Sequence, residues 1–331
     1  MKKHFIFSSA NFYGSAYRKG KLQTQGIHQF VDHSGPIILD SGGYQLINHD
    51  RPFTLEETIE IYRMANFQQD DFGIALDYCP LIFETPKERM EKIKRSNKNL
   101  LKMRKLAPEL SRKIVHVLHG WTMKELRTSL DPVGIEDLIA FGSCLSLKLK
   151  GYQDKIIQKF VNLYRLTEEY PDLRGIRLHI LGASGANSSH VCWYSGFEQT
   201  DSASWRRIAS FGKIVFVGVS EAYISNRNAK FGRTKWNDKF DILLKECECP
   251  ICKGENLTVK KGILAEKFQA RATHNAYIYL QERQLAKDLI GTPKYYRYLQ
   301  KRFKRSYFMK KFLNKMREAK FQPHIDTFFR N

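Results

Sequence analysis

Short apolar runs alternate with stretches of helical spacing along most of the chain. Strands that alternate with helices predict a parallel sheet built of strand–helix–strand units. About six units are visible and the chain has room for two more, which favours a (β/α)₈ barrel over an open doubly wound sheet. The apolar runs end at acidic, histidine or glycine residues, as follows: Ile37–Leu39 before Asp40, Gly73–Leu76 before Asp77, Lys113–Leu118 before His119, Leu138–Phe141 before Gly142, Ile176–Leu181 before Gly182, and Ile214–Val217 before Gly218.

Helix starts between these runs carry a repeated N-terminal pattern. Thr54-x-x-Glu57, Thr85-Pro-x-Glu88 and Thr122-x-x-Glu125 each match a capping box. A further helix is predicted over 155–166. These starts support the alternation of strands and helices and therefore the barrel prediction.

Acidic groups at strand ends predict a site at one mouth of the barrel, because the carboxyl ends of barrel strands share one face. Asp40 is followed by two glycines that let the backbone approach a flat ligand, and Tyr44 is placed to stack on it. The simpler alternative is an N-cap aspartate before a glycine-rich turn. Asp201 in Asp-Ser-Ala-Ser-Trp also has an alternative role as a helix cap. With Asp77, three carboxylates can supply a nucleophile, a general base and a reader of ligand N–H groups.

A cysteine cluster predicts one metal ion. Cys247, Cys249 and Cys252 lie within six residues, and His274 follows at the head of an apolar stretch. Three thiolates and one imidazole make a closed tetrahedral shell for Zn²⁺, so the metal is expected to be structural. The alternative is three incidental thiols. The remaining cysteines are predicted to be packed thiols, namely Cys79, Cys144 and Cys192.

Charge favours a polyanionic partner. Lys and Arg number 55 against 34 Asp and Glu, a formal charge of +21. Nucleic acid is favoured over an anionic membrane surface, because no basic amphipathic helix shows a clean apolar face. A hydrophobic content of 42% excludes general disorder. No apolar run is long enough for a membrane span and the first residues are too polar for a secretory signal, so we expect a cytoplasmic protein.

The segment from Lys287 onward interleaves basic and aromatic residues. We expect most of the aromatic rings to pack inward and most of the cations to face phosphates. The aromatic residues are Tyr295, Tyr296, Tyr298, Phe303, Tyr307, Phe308 and Phe312.

The predicted organisation is a catalytic barrel over 1–245, an inserted zinc-binding subdomain over 246–280, and a basic helical segment over 281–331 that completes the barrel and contacts nucleic acid.

Taken together, these motifs resemble the tRNA-guanine transglycosylase superfamily. The resemblance rests on Asp40-Ser-Gly-Gly-Tyr-Gln45, Asp77-x-Cys79-Pro80, His119-Gly120, Leu181-Gly182, Asp201-Ser-Ala-Ser and the Cys₃His set, which occur in the family's order. It implies a (β/α)₈ barrel with a zinc subdomain. It also implies a base exchange in which guanine leaves a nucleic acid and a 7-deazaguanine base replaces it.

The resemblance assigns roles to individual residues. Asp201 corresponds to the covalent nucleophile, Asp40 to the general acid/base, and Asp77 to the purine reader. Tyr44 would stack on the base. The remaining residues expected to bind the substrate are Ser41, Gly42, Gly43, Gln45, His119, Gly120, Gly142, Leu181 and Gly182.

Two departures separate the chain from the bacterial tRNA enzymes of this superfamily. His119-Gly120 replaces the usual Gln-Gly, and Asp-Ser-Ala-Ser-Trp replaces an Asp-Cys-Val-x-Pro pattern. The length also leaves no room for an additional C-terminal tRNA-binding domain.

The chain is most similar to compact DNA-guanine transglycosylases of phages and genomic islands, which would place it in the host cytoplasm if phage-encoded. The expectation is insertion of a 7-deazaguanine such as preQ₀ into DNA, with tRNA as the alternative and a non-catalytic nucleic-acid-binding subunit as a remote one. Oligomeric state is not predicted.

Overall fold

The structure, a computed structural model, describes residues 5–43, 53–142, 151–174, 176–183, 185–197, 199–225 and 236–328. The chain divides into two compact units. We call Met1–Leu181, Phe197–Asp201 and Ala319–Asn331 the barrel unit, and Gly182–Gly196 with Ser202–Glu318 the zinc unit. The division into three segments drawn from the sequence stays a prediction.

The barrel unit contains one sheet of seven parallel strands that pair in chain order. This sequential order is that of a (β/α)₈ barrel and differs from a doubly wound sheet, whose strand order reverses. The predicted α/β class is therefore confirmed, with a sheet compatible with the barrel. The strands are β1 (Phe5–Ser8), β2 (Ile37–Asp40), β3 (Phe72–Ile74), β4 (Ile114–Leu118), β5 (Leu138–Phe141), β6 (Arg177–Ile180) and β7 (Gln199–Thr200).

Helices separate successive strands of this sheet. All three predicted capping boxes are present, with threonine side chains accepting from the N3 backbone and glutamates bonding back to the cap. Each box satisfies two otherwise unpaired N–H groups at a helix start. The helices are α1 (Ala16–Val31), α2 (Leu55–Ala65), α3 (Pro86–Leu106), α4 (Met123–Leu130) and α5 (Gln153–Glu169).

Two apolar layers pack against the sheet. Alternate strand residues form an interior cluster that includes Ile38, Val117 and Ala140. Their neighbours Ile37 and Leu39 belong to a separate cluster with residues of α1 and α2. Because side chains alternate along a strand, residues two positions beyond the interior ones also face inward. The interior face therefore continues into the strand ends where the candidate site residues lie.

The zinc unit contains helices and one antiparallel hairpin. The hairpin pairs β8 (Lys213–Phe216) with β9 (Val219–Tyr223). Interpreting Ile214–Val217 as one more parallel strand of the barrel was wrong. Gly218 has a φ of 69°, which permits a tight turn that sends the chain straight back. The helices are α6 (Ala186–Tyr194), α7 (Ser204–Ser210), α8 (Asp238–Lys245), α9 (Leu257–Glu266), α10 (Phe268–Leu289), α11 (Pro293–Arg302) and α12 (Tyr307–Phe328), the last extending beyond this unit.

The aromatic residues of the basic segment mostly pack, as predicted. Tyr295, Phe303, Phe308 and Phe312 are buried, whereas Tyr307 is exposed. Arg302 of this segment has a structural role, because it forms a buried ion pair with Glu282 at 2.8 Å. Across the described residues, no helix combines the length and the apolar character that a membrane crossing requires.

Candidate active site

Asp40 is the last residue of β2 and lies two positions beyond interior Ile38. Its Oδ2 accepts the Gly42 backbone N–H at 3.1 Å and the Ser8 hydroxyl at 3.3 Å. A carboxyl with two donors on one oxygen keeps the other oxygen available to a ligand. Asp40 is therefore fixed in orientation at the strand end that the sequence predicted.

Two of the predicted carboxylates, Asp77 and Asp201, act electrostatically on the third, Asp40. Burial, followed by the neighbouring charges of Asp77 and Asp201, raises the pKa of Asp40 to about 7, against the hydrogen bonds from Gly42 and Ser8. Both charges act on Asp40, so residues far apart in the sequence share one electrostatic site. A carboxyl with a pKa near 7 can both give and take a proton at neutral pH.

Asp77 and His119 form a buried pair. The Nε2–H of His119 donates to Asp77 Oδ2 at 2.8 Å, and the histidine is fully buried. Two glycines make room for the pair. A Cβ at Gly43 would lie 2.2 Å from Asp77 Oδ1, and one at Gly142 would lie 2.4 Å from His119 Cε1. The predicted glycines are therefore required for the close packing of their backbones on these side chains.

Asp201 follows β7 and has a histidine partner that the sequence analysis missed. His179 of β6 is buried, and its Nε2–H donates to Asp201 Oδ1 at 3.2 Å. Its Nδ1 lies 3.4 Å from the side-chain Oε1 of Gln199, whose buried Nε2 has no hydrogen-bond partner in the part of the chain that the structure describes. Rotating that amide end over end gives Nδ1 a donor and Gln199 Nε2 a partner. His179 therefore orients the Asp201 carboxylate.

The other predicted site residues that the structure describes also lie at strand ends. Ser41 is fully buried, and its hydroxyl has no hydrogen-bond partner among the described residues. A Cβ at Gly120 would lie 2.7 Å from the Leu126 N atom, so this turn also requires glycine. The Leu181 N–H extends the β5–β6 pairing, and Gly182 follows with a φ of 71°. Tyr44, Gln45 and Cys144 lie outside the described residues, whereas the predicted packed thiols Cys79 and Cys192 are buried.

A buried lysine supports the backbone of the predicted pocket. Lys159 of α5 is 1% exposed and donates through Nζ to the Gly142 carbonyl oxygen at 3.0 Å. The same ammonium lies 4.1 Å from the ring centroid of Trp121 and 4.8 Å from that of Phe141. Cation–π contacts partly replace the water that a buried ammonium loses. Lys159 thus fixes the Gly142 carbonyl, and no sequence motif marks it.

The four predicted metal ligands come together in the zinc unit. Cys247, Cys249, Cys252 and His274 are all buried, and their ligand atoms lie within 4.8 Å of one another. The three Sγ atoms lie 3.6, 3.4 and 3.8 Å from His274 Nδ1. A tetrahedral Zn²⁺ with standard bond lengths requires an S···N separation of about 3.6 Å. The residues therefore fit one zinc ion with no open position for a substrate.

The surroundings of this cluster prepare His274 to bind metal. Its Nε2–H donates to the Val215 carbonyl at 3.0 Å, which leaves Nδ1 as the ligand atom. Asn275 accepts from Val215 N and donates to Lys213 O, so the hairpin is held against α10. Lys260 Nζ donates to the Cys247 carbonyl at 3.2 Å. The predicted structural zinc site is thus built into the core of the unit.

Paired carboxyl groups in different environments, one able to exchange protons and one oriented by an imidazole, are the equipment of enzymes that transfer glycosyl groups. Comparison with known proteins identifies the family. The family model described as "Queuine tRNA-ribosyltransferase" matches residues 4–308, and the chain belongs to this family. The predicted enzyme class, a pentosyltransferase, is thereby confirmed.

Individual relatives are distant in sequence. A queuine tRNA-ribosyltransferase of Staphylococcus haemolyticus is 25% identical over 287 residues, covering 78% of this chain and 71% of the relative. One of Macrococcus caseolyticus is 23% identical over 294 residues, covering 80% and 72%. A tRNA-guanine(15) transglycosylase of Saccharolobus solfataricus is 25% identical over 323 residues, covering 91% of this chain but only 56% of that protein.

The raised pKa of Asp40 has a consequence for stability. The folded state holds a proton on Asp40 up to about pH 7, whereas an unfolded aspartate releases its proton near its ordinary pKa of 3.8. The stabilising contribution is thus full below pH 4 and is lost as the pH rises through 7. We expect the neutral variant Asp40→Asn to gain stability over the wild type as the pH rises, by about 3 kcal/mol more at pH 8 than at pH 5.

Urea unfolding of the wild type and Asp40→Asn at both pH values measures this difference. Comparing the two proteins cancels the groups that they share. A stability gap that does not change between pH 5 and pH 8 would contradict the raised pKa.

Proposed function

We propose that the chain exchanges guanine in a nucleic acid for a free 7-deazaguanine base, with DNA as the favoured nucleic acid. The observation that carries the proposal is the electrostatic convergence of Asp40, Asp77 and Asp201 at the carboxyl ends of three different strands. Family membership supports guanine transglycosylation of a nucleic acid. The charge of +21 supports a polyanionic partner.

The first half-reaction breaks one glycosidic bond and forms another. An Asp201 carboxylate oxygen attacks C1′ from the face opposite the base, and the C1′–N9 bond breaks with its electron pair going to guanine. A glycosyl-aspartate ester remains on the protein. His179 supports this step because its N–H holds Asp201 in one orientation at 3.2 Å. Water must be excluded during the lifetime of the ester, because hydrolysis would leave an abasic site.

The second half-reaction reverses the first with a new base. The incoming 7-deazaguanine loses its N9 proton to the Asp40 carboxylate, and N9 attacks C1′ while the ester bond to Asp201 breaks. Protonated Asp40 can return this proton to a departing guanine in the next cycle. A pKa of about 7 suits Asp40 to both transfers. Two inversions at C1′ retain the original configuration.

Asp77 selects guanine-type bases in this scheme. A carboxylate can accept parallel hydrogen bonds from the N1–H and the 2-amino group of a guanine edge. Adenine lacks this donor pair, so it would leave a buried carboxylate unsatisfied. His119 already donates to Asp77 Oδ2 at 2.8 Å, and it therefore fixes the orientation of the reader. Lys159 holds the adjoining Gly142 carbonyl in place.

The zinc ion has a structural part in this proposal. Cys247, Cys249, Cys252 and His274 would hold it and leave no position for a substrate. Its contribution is to fix the hairpin and the helices that surround it. None of the proposed proton or glycosyl transfers uses the metal.

The preference for DNA rests on local sequence. The Asp201-Ser-Ala-Ser-Trp205 segment and the pair His119-Gly120 depart from the pattern of the bacterial tRNA enzymes. The relatives described above are named for action on tRNA, which makes tRNA the alternative substrate. The two nucleic acids differ at the 2′-hydroxyl, so the site's tolerance of that group decides between them.

An exchange assay tests the proposal. The protein is incubated with radiolabelled guanine and either guanine-containing DNA or unmodified tRNA, and label in the precipitated polymer is counted. We expect incorporation into DNA, and unlabelled preQ₀ should compete with it. Label that enters only tRNA would overturn the DNA preference. Label in neither polymer, with a protein whose zinc content is complete, would overturn the transferase proposal for these substrates.

A further inference from the structure

An exposed phenylalanine stands at the carboxyl-end side of the sheet. Phe83 is 64% exposed and lies in the loop that joins the end of β3 to the start of α3. The same loop carries Asp77, the predicted base reader. Phe83 is therefore a candidate contact for a ligand that enters this end of the barrel unit.

The loop that carries Phe83 is held firmly. The Leu81 N–H donates to Glu84 Oε2 at 2.8 Å, and Trp121 Nε1 donates to the Pro80 carbonyl at 3.0 Å. Arg89 binds the Glu84 carbonyl at 2.6 Å, and Lys92 binds the Cys79 carbonyl at 3.3 Å. These four contacts fix the backbone on both sides of Phe83. The ring is thus presented on a preorganised loop, which lowers the entropy lost on binding.

The same loop carries a second aromatic group, and the helix that follows it carries a cation beside that ring. Tyr78 directly follows Asp77 and is partly exposed, and the Arg95 guanidinium lies 3.8 Å from its ring centroid. Among the described residues no carboxylate pairs with Arg95. A planar cation over a ring combines a stacking surface with a charge that attracts phosphate.

The segment that follows β1, the other strand paired with β2, also carries an exposed aromatic ring beside a cation. Tyr17 lies in the first turn of α1, which follows β1, and is 70% exposed. Lys21 lies 4.8 Å from its ring centroid. Tyr17 and Phe83 are the two exposed aromatic residues among the described part of the barrel unit, and both lie beyond carboxyl ends of strands that neighbour β2. Exposed rings are thus concentrated at the mouth of the candidate site.

We propose that Phe83, with Tyr78 and Arg95, forms a stacking platform for unpaired nucleotides that flank the target guanosine. This inference rests on the proposed function for its partner. An extruded target leaves its neighbours unstacked, and aromatic rings beside basic groups bind such bases with little sequence preference. The net charge of +21 and the Arg95 guanidinium, with which no carboxylate among the described residues pairs, favour a nucleic acid over a protein occupant for this surface.

Binding measurements test the platform independently of catalysis. The probes are a fluorescein-labelled single-stranded DNA of mixed sequence, the matching duplex, and tRNA, with affinity read by fluorescence anisotropy. The variants are Phe83→Ala, Phe83→Trp and, as a matched control, Leu101→Ala, which removes an apolar side chain that is 48% exposed on α3. We expect Phe83→Ala to raise the single-strand Kd about tenfold, with Phe83→Trp near wild type and the control unchanged. Arg95→Gln should lower the salt dependence of binding by about one phosphate contact.

The exchange assay adds a second readout. Phe83→Ala should raise KM for the nucleic acid and leave KM for free guanine and kcat unchanged, because the platform would contact the flanking nucleotides rather than the base that is exchanged. A Kd for Phe83→Ala equal to that of Leu101→Ala would overturn the platform. Altered self-association with unchanged nucleic-acid Kd would also overturn it and assign Phe83 to a protein interface. If the wild type exchanges no base, the proposed function fails, while anisotropy still decides the platform.

Discussion

The Asp201→Asn variant is expected to lose guanine exchange by on the order of 10⁴-fold or more. An amide oxygen is a far weaker nucleophile than a carboxylate, so the glycosyl ester cannot form at a useful rate. The substitution preserves shape, and the amide oxygen still accepts the His179 N–H that now binds Asp201 Oδ1 at 3.2 Å. Nucleic-acid binding and zinc content should therefore match the wild type. The measurement is the initial rate of labelled guanine incorporation.

Asp172→Asn is the matched control, because it makes the same chemical change at an exposed position of the barrel unit. It should leave the exchange rate unchanged. His179→Gln should lose less activity than Asp201→Asn, since the carboxylate remains and only its orientation is relaxed. An Asp201→Asn protein that exchanges guanine at a rate near that of the control would remove Asp201 from the mechanism.

Zinc removal is expected to have the largest effect on stability. The three cysteine ligands are buried in the core of the zinc unit, in the same cluster as Phe216, Phe240 and Leu264. Structural zinc sites contribute several kcal/mol or more to folding, so Cys249→Ala should lower the unfolding temperature by at least about 10 °C. Metal analysis should find one zinc per wild-type chain and none in the variant.

Cys192→Ala is the control for this experiment, because it removes a buried thiol of the same unit that is not a ligand. It should retain zinc and lose only about 1 kcal/mol. A strong chelator should inactivate the wild type in step with its loss of fold. Inactivation with an unchanged unfolding temperature would mean that the metal takes part in the chemistry.

Much of the barrel unit was predictable because its strands are short apolar runs that end in polar residues. Asp40, Asp77, His119 and Gly142 were located in this way, and period-two alternation from the interior cluster explains why Asp40, His119 and Gly142 face inward. β7 was missed because Gln199–Thr200 contains no apolar run, and its pairing with β6 gives it its structure. The hairpin was misread because Ile214 and Phe216 have the apolar pattern of a buried strand, while the turn at Gly218 sets its direction.

The metal ligands were predictable for a different reason. Cys247, Cys249 and Cys252 are close in sequence, and thiolate spacing of this kind has few other uses. His179 and Lys159 could not be found, because each acquires its role from a partner brought near by strand register or helix packing. His179 lies inside an apolar strand, where a histidine is an ordinary core residue, until the structure places Asp201 beside it. Phe83 is likewise distinguished only by its exposure.

Isolation of the covalent intermediate tests the central claim most directly. The protein is mixed with guanine-containing DNA in the absence of a free base, quenched under denaturing conditions, and digested for peptide mass spectrometry. The account predicts a sugar-linked ester on the peptide that contains Asp201, absent from Asp201→Asn and discharged when 7-deazaguanine is added before quenching. An ester on Asp40 or Asp77, or efficient exchange without any adduct, would contradict it.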